Sequence, residues 1–141
     1  FRNSPEALKF IMIDPKRVEL SLYNGIPHLL TPVITADKKA VLALKWATKE
    51  MNRRYEILKN SQVQNIESYH STILKPALKK LEKKSGEPVS AEEVPERMPY
   101  IVIIVDEMAQ LMQSFPREAE SSIVQLAQMS RETESGHELI E

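Results

Sequence analysis

The run Tyr100-Ile101-Val102-Ile103-Ile104-Val105 constrains this chain more than any other feature. Every residue after the tyrosine is β-branched, and side chains of that kind favour extended backbone. The run is therefore the strongest strand in the sequence, and it stops abruptly at Asp106-Glu107. A second apolar run, residues 9–14, shows no alternation of polar and apolar positions before Pro15 ends it. That pattern is expected of a parallel strand covered on both faces. Residues 29–34 read as a third, short strand interrupted by Pro32.

Long helices separate these strands. Asp37 to Lys59 is the clearest: Val41, Leu44, Met51, Tyr55 and Leu58 fall on one stripe, and Lys45, Lys49, Asn52, Arg53 and Glu56 on the other side. Thr35 or Asp37 is expected to cap its start. A second helical stretch runs from Ile66 into the eighties, with Pro76 as a kink or boundary. Residues 85–99, with Gly86, Pro88, Pro95 and Pro99, read as a loop. One helix follows Glu107 through Met112, and another spans about Arg117 to Arg131 with Ile123, Leu126 and Ala127 inward. Strands alternating with long helices predict an α/β fold built on a parallel sheet.

Composition narrows the function classes. Nineteen basic and twenty acidic residues leave a net charge of -1, which offers no global field for holding nucleic acid. The basic run Lys79 to Lys84 reads more simply as a solvated helix end, where cations suit the helix dipole, than as a DNA patch. With no cysteine, disulfides and thiolate metal sites are excluded. His28, His70 and His137 lack any ligand spacing, so each reads as an ordinary surface or core histidine. No apolar run approaches the roughly 20 residues a membrane helix needs. The opening residues do not resemble a signal peptide, and the chain reads as a piece of a longer protein.

An apolar strand that delivers Asp-Glu at its carboxyl end is a Walker B pattern. Loops at the carboxyl ends of parallel strands form the ligand crevice of such sheets. There Asp106 would hold Mg²⁺ beside nucleotide phosphates, and Glu107 would orient or deprotonate the attacking water. The motif alone is weak, because many buried strands end in acidic residues where the chain returns to water. Its usual companion, a glycine-rich phosphate loop ending Gly-Lys-Ser/Thr, is absent: the three glycines, Gly25, Gly86 and Gly136, stand in no such pattern.

Four segments, in order, carry a resemblance to a known family. Residues 10–30, beginning Phe10 and including Asp14-Pro15-Lys16, look like the segment that follows the phosphate loop and its helix in FtsK/SpoIIIE translocases. Residues 43–47 and 50–56 resemble the next helix, residues 100–107 the Walker B strand, and residues 126–131 the helix before the sensor strand. The resemblance implies a partial RecA-like P-loop ATPase fold over residues 1–141, with a loop at 85–99. It implies a hexameric motor that uses ATP and Mg²⁺ to pump double-stranded DNA. Such motors act in chromosome segregation at the bacterial division septum, tethered to the inner membrane by segments outside this chain. By this mapping Asp106 is the magnesium-associated acid and Glu107 the catalytic acid. Asp14, Pro15 and Lys16 match a family element whose plain reading is a strand end and turn.

The tail departs from the family pattern. Similar proteins continue with Gly-Ile-His-Leu-Ile and a Thr-Gln sensor, whereas residues 132–141 read differently and stop at Glu141. Two rival readings stand beside the translocase: a conjugative coupling or secretion ATPase of the same superfamily, and a non-enzymatic interaction domain without the phosphate loop. In the family's usual sheet order the Walker B strand lies between the strand of residues 9–14 and a sensor strand, with the phosphate-loop strand beyond. One edge of residues 100–105 is therefore expected to be open, or covered by the tail Gly136 to Ile140, while the helices at 37–59 and 117–131 cover the faces. Without backbone amides and a lysine to cradle phosphates, the isolated chain should show no micromolar heat of binding to Mg-ATP in calorimetry. A micromolar isotherm would reveal a phosphate site of a different kind.

Overall fold

The computed structural model describes residues 3–83 and 96–132. In chain order these form β1 (Leu8–Ile13), a 3-10 turn (Leu20–Tyr23), α1 (Asp37–Asn60), α2 (Ile66–Tyr69), a π-helical turn (His70–Leu74), α3 (Lys75–Lys83), β2 (Tyr100–Val105), α4 (Met108–Ser114) and α5 (Pro116–Glu132). Residues 96–99 have no regular secondary structure; the rest of the expected loop, and the tail beyond Glu132, lie outside the described residues.

β1 and β2 pair in parallel, from Leu8 opposite Tyr100 to Ile13 opposite Val105. The expected parallel sheet is thus present, with its first strand one residue earlier than the apolar run suggests. Residues 29–34 do not form the continuous strand expected of them. Leu29 and Ile34 instead make isolated parallel bridges to Phe10 and Ile13. Pro32 has no N–H to give, and the Val33 amide donates to Asn24 Oδ1 at 2.8 Å rather than to the sheet. The segment nonetheless occupies the far edge of β1: Phe10 N donates to the His28 carbonyl, and Ile34 N to that of Met12, both at 2.8 Å.

The main core forms on one sheet face. Ile11 and Ile13 pack with Ala40, Val41 and Leu44 of α1, Leu111 of α4 and Ala119 of α5. Ile101, Ile103 and Val105 of β2 join from the same side, since alternate strand residues share a face. Helices α1 and α5 therefore stack together over a single face, not over both faces as the sequence suggests. The Tyr55 hydroxyl of α1 donates to the Met129 carbonyl of α5 and ties the two together. Val102 and Ile104, on the opposite face, belong to no core cluster among the described residues.

A second cluster gathers Leu58, at the end of α1, with Tyr69, Leu74 and Met98. Pro76 explains the irregular helix beside it. A proline ring clashes with the carbonyl four residues earlier. The backbone widens just before it, so that Lys75 N donates to the His70 carbonyl across five residues. The polar face of α1 is as the sequence predicts, with Lys45, Lys49, Asn52, Arg53 and Glu56 all exposed. Its cap is not. The N-cap is Ala36 with no side-chain bond, and Asp37 Oδ2 instead accepts from Ser114 Oγ of α4 at 2.8 Å. Lys79 and Lys80 are exposed on α3.

Beyond β2 no further strand follows among the described residues. An apolar groove of about 540 Å³ opens beside it, lined in part by Leu44, Met51, Tyr55, Ile101, Ile103 and Leu126. An unpaired apolar edge is a template for pairing with another strand. Sedimentation of the isolated chain should therefore give a mass that rises with concentration. A monomer with slow amide exchange along residues 101–105 would contradict this.

Candidate active site

The register of the two strands sets the site. Because Ile13 lies opposite Val105, Asp14 and Asp106 are the first residues past the ladder on neighbouring strands. Their backbones remain tied down: Asp106 N donates to the Ile13 carbonyl, and Asp14 N to the Ile34 carbonyl, both at 2.8 Å. The structure thus brings together the two acidic motifs that the sequence holds more than ninety residues apart.

Asp14 is fully buried. Its Oδ2 accepts from the amides of Glu19 and Leu20, each at 3.0 Å, while its Oδ1 is buried without a hydrogen-bond partner. Burial by itself pushes the carboxyl pKa up. The amides of Leu20, Glu19, Arg17 and Lys16 outweigh it and hold the group below its ordinary value of 3.8. Asp14 therefore clamps the loop that follows β1, at the start of the 3-10 turn. Within that loop Arg17 takes a left-handed conformation, with φ 59°, and its amide donates to the Asp14 carbonyl. This is a job that strand-end reasoning does not reveal, because the receiving amides lie five and six residues on.

The clamped loop presents Lys16. Its Nζ lies 3.3 Å from Glu107 Oε2. Both side chains are substantially exposed, at 59% and 38%, so the pair adds at most about 1 kcal/mol to stability. Glu107 itself is left-handed, with φ 61° and ψ 64°, at the N-cap position of α4. Its side chain makes no cap bond there. Left-handed backbone at a residue with a Cβ costs of order 1–3 kcal/mol and is found disproportionately at functional sites. Asp106 is half-buried beside it.

Mg²⁺ at nucleotide sites keeps several waters and takes one or two carboxylates together with substrate phosphates. Asp106 fits that requirement, and the described residues hold no group of three or more candidate ligands that would suggest a closed protein cage. The apolar groove runs between β2 and the helices α1 and α5; its wall includes Val105 and Met108 but neither Asp106 nor Glu107. His28 is buried, with Nε2 2.9 Å from the Asn3 carbonyl, and the His70 ring lies 5.9 Å from that of Tyr69 and 6.5 Å from that of Tyr100, centroid to centroid. His137 lies outside the described residues.

The sequence profile of the FtsK/SpoIIIE family matches residues 1–141. The chain belongs to the FtsK/SpoIIIE family. It is 46% identical over 143 residues to the DNA translocase FtsK of Rickettsia prowazekii, a match covering 93% of this chain and 19% of that protein. The corresponding protein of Bradyrhizobium diazoefficiens is 45% identical over 143 residues, covering 93% of this chain and 17% of its own length. That of Clostridium tetani is 46% identical over 131 residues, covering 93% and 16%. The chain thus spans less than a fifth of the relatives it matches. A parallel strand pair flanked by helices agrees with a partial RecA-like domain of this family.

The Asp14 clamp has a consequence in acid. A carboxyl whose folded pKa lies below its unfolded value lends stability above the unfolded value, and that stability disappears as pH falls through the folded one. Urea denaturation of the chain should therefore show stability declining below about pH 3.8. In Asp14→Asn the decline over that interval should be shallower, because one protonation is removed from the linkage. Parallel curves for the two proteins would mean that Asp14 contributes nothing.

Proposed function

We propose that this chain is part of the motor domain of an ATP-driven double-stranded DNA translocase that serves chromosome segregation at cell division. The carrying observation is the placement of Asp106 and Glu107 at the carboxyl end of β2, beside the Asp14–Lys16 loop, in a chain of the FtsK/SpoIIIE family. The relatives above bear the name DNA translocase, which supports DNA as the partner. The near-neutral charge of the chain supports a division of labour in which other parts grip DNA and this part works on nucleotide.

In this reading Asp106 holds Mg²⁺ beside the phosphates of ATP, and Glu107 is the catalytic acid that orients the attacking water and takes its proton. Bound magnesium supplies charge neutralisation at the transferring phosphoryl group. Asp106 stands on the end of a hydrogen-bonded strand, which fixes its carboxylate relative to the sheet. Glu107 stands one residue further, in left-handed backbone at the N-cap of α4 with no side-chain cap bond. Asp14 keeps the neighbouring loop in place. Pro15 follows the end of β1, and Lys16 of that loop reaches Glu107 at 3.3 Å. The phosphate cradle comes from sequence outside these 141 residues, and the working assembly is a hexamer around the duplex. Membrane attachment at the division septum falls to other segments; no helix of the described residues is long and apolar enough to cross a bilayer.

Variants of the full-length motor test the assignment. Glu107→Gln keeps the size of the side chain and removes the base, so ATP binding should persist while turnover falls by roughly 10²–10⁴-fold. Asp106→Asn should weaken the magnesium-dependent part of catalysis. Hydrolysis at the parent rate in both variants would remove this strand end from the active site.

A further inference from the structure

We infer that the outer face of the first half of α1 is a peripheral docking surface for an anionic phospholipid bilayer. Leu42 and Trp46 enter the headgroup layer, while Lys38, Lys39, Lys45 and Lys49 meet its phosphates. The contact is separate from the chemistry assigned to Asp106 and Glu107, and it adds to the membrane attachment assigned to other segments.

The make-up of this face carries the inference. Between Asp37 and Met51 the exposed positions of α1 are Lys38, Lys39, Leu42, Lys45, Trp46 and Lys49, and no others. Leu42 is 57% exposed and Trp46 43%. They stand four residues apart, on adjacent turns of one face. Ala40, Val41 and Leu44 turn the opposite side of the helix to the sheet. Trp46 also borders the groove beside β2.

The four lysines are uncompensated. None of them enters an ion pair among the described residues. The neighbouring acids of α1 are engaged elsewhere: Asp37 accepts from Ser114, and Glu50 is held by Arg53 and Arg54. The next exposed carboxylate of the helix, Glu56, lies about two turns beyond Lys49. A chain of net charge -1 thus gathers four cations around two exposed apolar side chains, over about 17 Å of helix.

That combination fits a bilayer surface better than other partners. Lysine stems lie along apolar surface while their ammonium heads reach outward to charge, and tryptophan settles at headgroup level. Helices that lie on membranes combine Lys with Trp and Leu in this way. Reading of nucleic-acid bases draws on Arg, Asn and Gln, none of which this face exposes. Protein interfaces are depleted in Lys, which here supplies most of the exposed positions. Each lysine close to an anionic leaflet strengthens association roughly fivefold.

The test uses the full-length protein reconstituted with bilayer discs, made of phosphatidylglycerol or of phosphatidylcholine alone. A water-soluble amine-acylating reagent, read by mass spectrometry, scores each lysine. Lys38, Lys39, Lys45 and Lys49 should be shielded in the phosphatidylglycerol discs and reactive in the phosphatidylcholine discs. The exposed Lys79 and Lys80 of α3 should react in both. Lys45→Gln combined with Lys49→Gln should weaken the association about 25-fold and leave Lys38 and Lys39 reactive. Leu42→Glu combined with Trp46→Glu should abolish the shielding while ATP turnover stays at the parent rate. If those two changes cost turnover, the lysine variant decides alone. Shielding should also fade as ionic strength rises. Equal reactivity of the four lysines in the two kinds of disc overturns the inference, whether they are reactive in both or covered in both by another part of the protein. Shielding by duplex DNA in phosphatidylcholine discs, with none from phosphatidylglycerol, would assign the face to nucleic acid and overturn it as well.

Discussion

The parallel ladder between β1 and β2 is the interaction on which the rest of the structure depends. Parallel partners cannot be joined by a tight turn, so the chain between them must make a long crossover. Here that crossover contains α1 and the α2–α3 segment, and it returns the chain in a register that leaves Asp14 and Asp106 side by side. A slip of one residue would turn Ile101, Ile103 and Val105 out of the core and move Asp106 away from the strand end. The apolar packing of those three residues against α1, α4 and α5 therefore sets the placement of the acidic pair. Core and site are specified by the same hydrophobic contacts.

Much of this was legible in the sequence because the signals were local. The β-branched run gave β2 to the residue, and the apolar stripe gave α1 to within one residue at its end. Pro76 marked the place where helical backbone changes character. What the sequence did not carry were features that depend on where distant segments land. The clamp by Asp14, the bond between Lys16 and Glu107, and the stacking of α1 and α5 on one face all require the folded register. Residues 29–34 failed as a strand for a subtler reason. Their apolar character is real, but Asn24 competes for the Val33 amide, and no propensity scale includes that competitor. The missing side-chain cap of α1 is similar, since Asp37 is drawn off by Ser114 from a helix far along the chain.

The candidate site combines rigid and yielding parts. Backbone hydrogen bonds fix Asp106 and Asp14, and burial fixes Asp14 further. Glu107, by contrast, projects from a strained residue into a weak, solvent-exposed ion pair. The left-handed backbone limits where the Glu107 side chain can point, while the exposed ion pair holds its head group only weakly.

Helix α1 joins two separate bodies of packing. Its first half contributes Ala40, Val41 and Leu44 to the sheet core, and its end contributes Leu58 to the cluster around Tyr69 and Met98. Twenty-four helical residues extend roughly 36 Å at 1.5 Å per residue. An uninterrupted helix resists bending far more than the loops around it. Near its far end Arg54 donates to the Pro99 carbonyl at 2.7 Å, immediately before β2 begins. The helix thus grips the sheet near its own start and the entrance to β2 near its finish, like a beam fixed at both supports. The strand that ends in Asp106 and the cluster around Tyr69 thus share one support, since Met98 and Pro99, just before β2, both meet the far part of α1.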